Sequence, residues 1–433
     1  SSGALSFTPK FGAKEILPMR FDATRYRYPS CRTVVFGSRG MVATGQPLAA
    51  QAGLDILKKG GNAVDAAVAA AACLAVVEPT ANGIGGDCFA LVWAEGRLHG
   101  LNSSGPAPAL ADAESLRGAG HKEVPKYGWS AVTVPGAPGG WAELVRRFGR
   151  CSLADVLAPA VACASEGYAV SPVAARMWKN AFKNYAEQCR EDIYRHWFET
   201  FCPEGRAPLP GEVWRSPGHA RTLTRIAESG AEDFYRGELA ERIDAFSRGA
   251  KGWLRESDLA AYRPEWVEPL SVNYRGYDVW EIPPNGHGIA ALMALNLLKG
   301  FNLPEERETA EVYHLQIEAM KLAYADVRAY VADPRFMTCT ARDLLSEAYA
   351  DERRRLIGAG ALDPAPGSPP RGGTVYLAAA DGEGNMVSMI QSNYMGFGSG
   401  LVVPGTGIAL HNRGNNFSLD PASPNCLAPG KKP

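Results

Sequence analysis

Two glycines stand directly before a threonine in Gly372-Gly373-Thr374, and strand-forming residues follow it in Val375-Tyr376-Leu377. The plain reading is a loop that ends in a β-strand, because glycine reaches backbone angles closed to other residues and Thr, Val and Tyr favour strands. The same residue types permit a specific chemistry. If the Gly373–Thr374 peptide bond were cut, Thr374 would carry a hydroxyl nucleophile together with an α-amino group of ordinary pKa about 7.7 to 8.0. That amine is a competent general base near neutral pH, so one residue would supply both nucleophile and base. The same hydroxyl can make the cut: with Gly372-Gly373 held in a conformation open only to glycine, Thr374 Oγ attacks the Gly373 carbonyl, and water hydrolyses the ester that forms. Just upstream, Ala361 to Arg371 (ALDPAPGSPPR) reads as an exposed connector that would let a freed end leave a pocket.

Rival chemistries find little support. The chain has no G-x-S-x-G elbow, no H-E-x-x-H pair and no P-loop. Its seven histidines are scattered, and its nine cysteines form no C-x-x-C pair, so neither a zinc site nor a disulfide framework is expected. The glycine cluster Asn82-Gly83-Ile84-Gly85-Gly86-Asp87 precedes a strand instead of joining a strand to a helix. It therefore reads as tight turns close to another backbone, not as a dinucleotide loop, and no cofactor or metal is expected.

Composition narrows the class. A hydrophobic fraction of 46%, a charged fraction of 21% and a formal net charge of -1 fit an ordinary soluble globular protein. Without a long basic block, no nucleic-acid partner is expected. The apolar run Ala63 to Val77 carries Asp65 and falls short of the roughly 20 residues of a membrane span, so no membrane partner is expected either. The first residues lack the order of a secretory leader, which favours a cytoplasmic location, or a periplasmic or secreted one if a leader has been removed.

The elements that must hold Thr374 follow from pattern. Thr33 to Gly37 and Gly40 to Ala43 read as strands, and Leu48 to Lys59 as a helix closed by Gly60-Gly61. Asn62 caps a buried helix that Pro79 ends, and strands follow at Cys88 to Trp93 and Arg97 to Leu101. From Ala137 to Leu298 the pattern is mainly helical, with an irregular polar and aromatic patch at Lys179 to Arg215. Thr374 to Ala380 and Met386 to Ser392 form a hairpin around Asp381-Gly382-Glu383-Gly384-Asn385, and Leu401 to Val403 with Ile408 to Leu410 repeat the device.

With these residues in view, the chain resembles the γ-glutamyltranspeptidase family of autoprocessed N-terminal-nucleophile hydrolases. The matching segments are Met41 to Phe89, Ala131 to Gly140 (AVTVPGAPGG), Pro283 to Gly288 (PPNGHG) and Gly372 to Gly400. The resemblance implies an α+β fold, a four-layer αββα sandwich made from a large piece, residues 1–373, and a small one beginning at 374, both intertwined in one domain. It implies a self-derived heterodimer after cleavage at Gly373–Thr374, with a higher oligomer allowed. The family continues past the equivalent of Pro433 with the paired glycines of its oxyanion hole, so a C-terminal remainder is expected beyond this sequence.

Residue roles carry over unevenly. Thr374 matches the processing threonine, and Ser392 lies where the family has a threonine hydroxyl near the nucleophile's amine. Asn412 falls in an Asn-rich stretch before the substrate loop. Ser104 and Asn416 stand where the family's γ-glutamyl site has an arginine and an acidic residue, so neither charge is present. An amino-acid end needs both partners, since desolvating a charge alone is costly. Arg413 supplies a new cation in the same loop, able to take a carboxylate by a two-pronged contact, with a solvated surface arginine as the plain alternative. Tyr394 replaces a smaller polar residue and either narrows the pocket or packs in the core.

The NRGNNFSLDP wording (Asn412 to Pro421) is closest to the acylase and oxamate-amidohydrolase branch. The expected activity is hydrolysis of a small carboxylate-bearing amide of oxamate type through an acyl-enzyme on Thr374. Oxamate has one carboxylate and no ammonium, which suits a site with a cation and no acid. Glutathione hydrolysis or γ-glutamyl transfer, β-lactam side-chain acylase activity, and a non-maturing, non-catalytic relative are the alternatives.

Overall fold

The computed structural model describes residues 34–304, 306, 308–364 and 375–433. Gly373, Thr374 and most of the Pro-rich connector lie outside the described residues. The chain divides into two compact units: a smaller one built mainly from Glu268–Pro369, and a larger one from Ser38–Val267, Pro370–Ala422 and Cys426–Pro433.

The larger unit opens with β1 (Gly40–Thr44), α1 (Pro47–Lys58), α2 (Ala63–Val77), β2 (Asp87–Ala94) and β3 (Arg97–Ser103). It continues with α3 (Ala113–Gly118), α4 (Ala137–Phe148), α5 (Leu153–Glu166), the two-stranded ribbon of β4 (Tyr168–Ala169) and β5 (Val213–Trp214), further helices, and β6 (Glu265–Val267). The smaller unit follows with the hairpin of β7 (Leu270–Tyr274) and β8 (Tyr277–Glu281). Helices Ile289–Leu298 and Ala310–Tyr330 pack there around Leu297, Leu315, Leu322 and Val327. The chain returns to the larger unit as β9 (Val375–Asp381) and β10 (Met386–Ser392), which take central places in a six-stranded antiparallel sheet of order β1-β9-β10-β2-β3-β6.

Local sequence sets these boundaries. After α1, Gly60 adopts φ 98° and the Gly61 N–H returns to the Ile56 carbonyl at 3.0 Å, a reversal that a side chain at Gly60 would strain. Asn62 and Asp65 cap α2 reciprocally: Asn62 Oδ1 accepts from the Asp65 N–H at 3.1 Å, and Asp65 Oδ2 accepts from the Asn62 N–H at 3.0 Å. Every residue of α2 is buried, because small side chains all round let it pack against β9 and β10 on one side and α5 on the other.

The hairpin alternates as a half-buried sheet must. Val375, Leu377, Ala379, Val387, Met389 and Gln391 are buried among the helices, whereas Tyr376, Met386 and Ile390 point to the opposite face and are exposed. That second face is also apolar, with exposed Trp93 of β2 beside Met386 in the register. A sheet apolar on both faces is built to carry a second layer.

Gln391 ties the hairpin to its helices. Its Oε1 accepts from Trp141 Nε1 at 3.1 Å, and its Nε2 donates to the Ala71 carbonyl at 2.7 Å and to Asn82 Oδ1 at 2.6 Å, all in the buried core. Replacing Gln391 by leucine strands three buried polar groups, so the unfolding free energy should fall by about 2–4 kcal/mol, read as a lower urea midpoint at unchanged slope. An unchanged midpoint would remove the network from the stabilising contacts.

Several sequence expectations need correction. The four described residues of the first expected strand, 34–37, are not extended into a sheet, because β1 at Gly40 takes the place beside β9 and strand propensity without a partner is weak. The patch expected to be irregular is largely helical: helix Pro172–Gln188 runs into it and helix Arg195–Phe201 follows. Its aromatic residues decide this by packing, since Trp178, Tyr185, Trp197 and Phe201 surround buried Phe397. The second hairpin shrinks to a single antiparallel bridge, Val402 with Ala409. Among the described residues, no helix is long and apolar enough to cross a membrane.

Candidate active site

β10 ends at Ser392, whose register partner is Asp87, the first residue of β2. One residue earlier, Gln391 pairs with Val375, the residue that follows Thr374 in the chain. Ser392 is buried, and its Oγ accepts from the Tyr394 N–H at 2.7 Å. This short return carries Tyr394 into the left-handed region at φ 73°, which costs a bulky side chain conformational energy and marks a position held by its surroundings.

Around this turn the backbones crowd together. A side chain at Gly86 would meet the Ser392 carbonyl at 2.6 Å, and one at Gly85 would meet the Ala409 carbonyl at 2.3 Å. Glycine at both positions lets the 83–86 turn, the end of β10 and the 408–411 segment lie side by side. The reading of the glycine cluster as close-packed turns holds.

Asn412 fastens the next loop. Its Oδ1 accepts from the Met395 N–H at 3.0 Å, its Nδ2 donates to the Lys126 carbonyl at 3.0 Å, and its own N–H reaches the Asn393 carbonyl at 3.2 Å. With each end of its amide making one bond and the residue fully buried, Asn412 positions the loop. Asn393 beside it differs: it is equally buried, and neither amide atom has a hydrogen-bond partner among the described residues.

Arg413 begins a single 3₁₀ turn, Arg413–Asn416, and its guanidinium makes a two-pronged bond to Asp87, Nε to Oδ2 at 2.7 Å and Nη2 to Oδ1 at 3.0 Å. It also lies over the Tyr394 ring, 4.7 Å from its centre. Asp87 is buried, whereas the Arg413 side chain keeps 21% of its surface exposed, and its Nη1 forms no hydrogen bond among the described residues. Burial works against the charge on Arg413, but the Asp87 carboxylate outweighs it and raises the guanidinium pKa above its ordinary value. Burial pushes the Tyr394 hydroxyl up in the same way, with Arg413 opposing. His411 lies nearby, Nδ1 3.8 Å from Asp87 Oδ2 and Nε2 2.9 Å from Thr133 Oγ1, and burial lowers its pKa, so it is held neutral.

The structure thus gathers Ser392, Tyr394, Asn412 and Arg413 in one place and adds an acid to them. Arg413 is neither a solvated surface residue nor a cation without an acid, as the sequence suggested. Asp87 lies 326 residues away in sequence, so the pairing left no local trace. One signal was readable: a carboxylate that opens an apolar strand, Asp87-Cys88-Phe89-Ala90-Leu91, is too costly to bury without a partner. Ser104 is buried, with its Oγ donating to Asn102 Oδ1 at 2.7 Å, and Asn416 ends the 3₁₀ turn. Neither brings a charge to the site.

Residues 49–433 match the gamma-glutamyltranspeptidase family. The chain belongs to that family. Its fold is accordingly the α+β fold of the N-terminal-nucleophile hydrolases, and the chain is an autoprocessing amidohydrolase. The family's members named as proenzymes include a glutathione hydrolase-like protein of Bacillus subtilis (strain 168), 39% identical over 92% of this chain and 75% of that protein. An oxamate amidohydrolase proenzyme of Klebsiella pneumoniae subsp. pneumoniae is 36% identical over the same shares. Among solved structures, a cephalosporin acylase from Bacillus halodurans superimposes with a TM-score of 0.90 at 59% identity, covering 96% of this chain and 76% of that one.

Proposed function

We propose that cleavage at Gly373–Thr374 divides the chain into a large piece, residues 1–373, and a small piece starting at Thr374, and that Thr374 then hydrolyses the amide of a carboxylate-bearing acyl group. The freed amine takes the hydroxyl proton, Thr374 Oγ attacks the substrate carbonyl, the amine component leaves with the proton, and water releases the acid. Ser392 is the supporting hydroxyl. The register favours this role, because Val375 and Gln391, the chain neighbours of Thr374 and Ser392, are paired.

The observation that carries the substrate class is the Arg413 guanidinium, tethered to Asp87 opposite Ser392 and with Nη1 left over. Such an edge recognises a carboxylate through directional bonds. Tyr394 forms a wall of the subsite and Asn412 fixes its loop. Without a charge at Ser104 or Asn416, an α-ammonium gains no partner from those positions, which favours oxamate over a γ-glutamyl group.

The 59% identity to a cephalosporin acylase favours a second reading, in which the carboxylate sits on the side chain of an acylated β-lactam. A screen of matured protein separates the two: ammonia release from oxamate and glutamine, and amine release from glutathione and acylated β-lactams. Oxamate turnover with little from glutathione is expected. Preferred turnover of a γ-glutamyl substrate, speeded by a dipeptide acceptor, would overturn the substrate assignment, and absence of every activity would point to a non-catalytic relative.

A further inference from the structure

Arg413 does not meet a substrate as a bare cation. Two of its donors already hold Asp87, and the ion pair is locked between the Tyr394 ring and the start of β2. We infer that Asp87 is the specificity-determining residue of the acyl subsite: it aims the free Nη1 edge of Arg413 and cancels its charge. The inference rests on the reading of Arg413 as the carboxylate partner and goes beyond it, because it assigns the strength of anion binding to a residue that never touches the substrate.

The physical argument has two parts. A guanidinium tethered by Nε and Nη2 cannot rotate, so Nη1 points in one direction, and the selectivity of the subsite is geometric. The second part concerns charge. An anion entering beside a neutral pair gains directional bonds but little net Coulomb attraction, and it stands near Asp87 as well as Arg413. Removing the negative charge while keeping the shape should therefore strengthen anion binding, by about tenfold for a charge several ångströms away in a partly solvated site.

Asn at position 87 removes the charge but keeps only one of the two prongs. Its Oδ1 accepts from Arg413 Nη2 as before, whereas its Nδ2 replaces the oxygen that accepts from Nε. Being a donor, that Nδ2 must turn to the His411 side, where Nδ1 has no partner among the described residues. The aim of Arg413 thus loosens somewhat while the opposing charge disappears, and the charge effect is expected to prevail. A purely structural role for Asp87 predicts the opposite sign, since loosening Arg413 weakens whatever it holds.

Oxalate is the probe, because it presents the carboxylate without an amide to hydrolyse. Binding is measured by titration calorimetry on matured protein at two ionic strengths. Asp87→Asn is expected to bind oxalate about tenfold more tightly than the unaltered protein, with a steeper loss of affinity in salt. Equal or weaker binding overturns the inference, as does absence of oxalate binding to both proteins. If Asp87→Asn does not fold, the neutral pair Asp87→Asn with Arg413→Gln serves instead. It should lose both oxalate affinity and its salt dependence, and oxalate binding like that of the unaltered protein would refute the assignment. The outcome is separable from the proposed activity: charge-sensitive oxalate binding without oxamate hydrolysis removes the activity and leaves Asp87 in its role. Oxamate hydrolysis with unaltered oxalate binding in Asp87→Asn does the reverse.

Discussion

Thr374→Ala should leave the protein as one uncut chain with kcat/KM for any amide reduced on the order of 10⁴-fold or more, the scale seen when a nucleophile is removed. The methyl group that replaces the hydroxyl can neither attack the Gly373 carbonyl nor form an acyl-enzyme, so maturation and turnover fail together. Thr374→Ser provides the control. It keeps the hydroxyl and, after cleavage, the amine, so it should still divide and retain measurable activity. Gel electrophoresis and an ammonia assay on the same samples read both effects. An alanine variant that hydrolyses oxamate as well as the parent would place the nucleophile elsewhere.

Arg413→Ala is expected to raise KM for a carboxylate-bearing amide by about 100-fold, within the 2–5 kcal/mol range for truncating one partner of a desolvated charge pair. Much of the cost reaches stability as well. Asp87 would be left buried without its cation, and breaking such a pair costs about 3–5 kcal/mol, so thermal and urea midpoints should both fall. Arg413→Lys separates the two contributions: it keeps the charge but not the two-pronged contact, and should recover more stability than affinity. An unchanged KM in a folded Arg413→Ala protein would take Arg413 out of the substrate site.

How far the sequence reaches into this structure differs by element. The helix predicted from Ala63 to Val77 forms over those residues, because a capping pair at Asn62 and Asp65 and an uninterrupted run of small apolar side chains are local signals. The hairpin around Asp381 to Asn385 was equally readable, since alternation and turn residues agree. Failures occurred where the deciding partner was distant in sequence. Residues 34–37 have strand propensity and no sheet neighbour among the described residues, and the segment after Lys179 is ordered by contacts to Phe397, about two hundred positions on.

The site divides in the same way. Ser392, Tyr394, Asn412 and Arg413 could be named from the sequence because the resemblance to the family points to the hairpin end and the next loop, where they stand. Their functions within the structure could not all be named. Asn412 was expected near substrate, and both ends of its amide also fasten the loop, while Tyr394 both packs and stacks. Asp87 escaped altogether, because only the fold brings β2 beside Arg413, and the electrostatics of the subsite depend on it.

The central claim is that one backbone bond is broken to create the nucleophile, and intact-mass spectrometry of freshly purified, catalytically active protein tests it most directly. The account predicts two polypeptides whose junction lies between Gly373 and Thr374, with threonine as the first residue of the smaller one. A single unbroken polypeptide carrying full activity would contradict it.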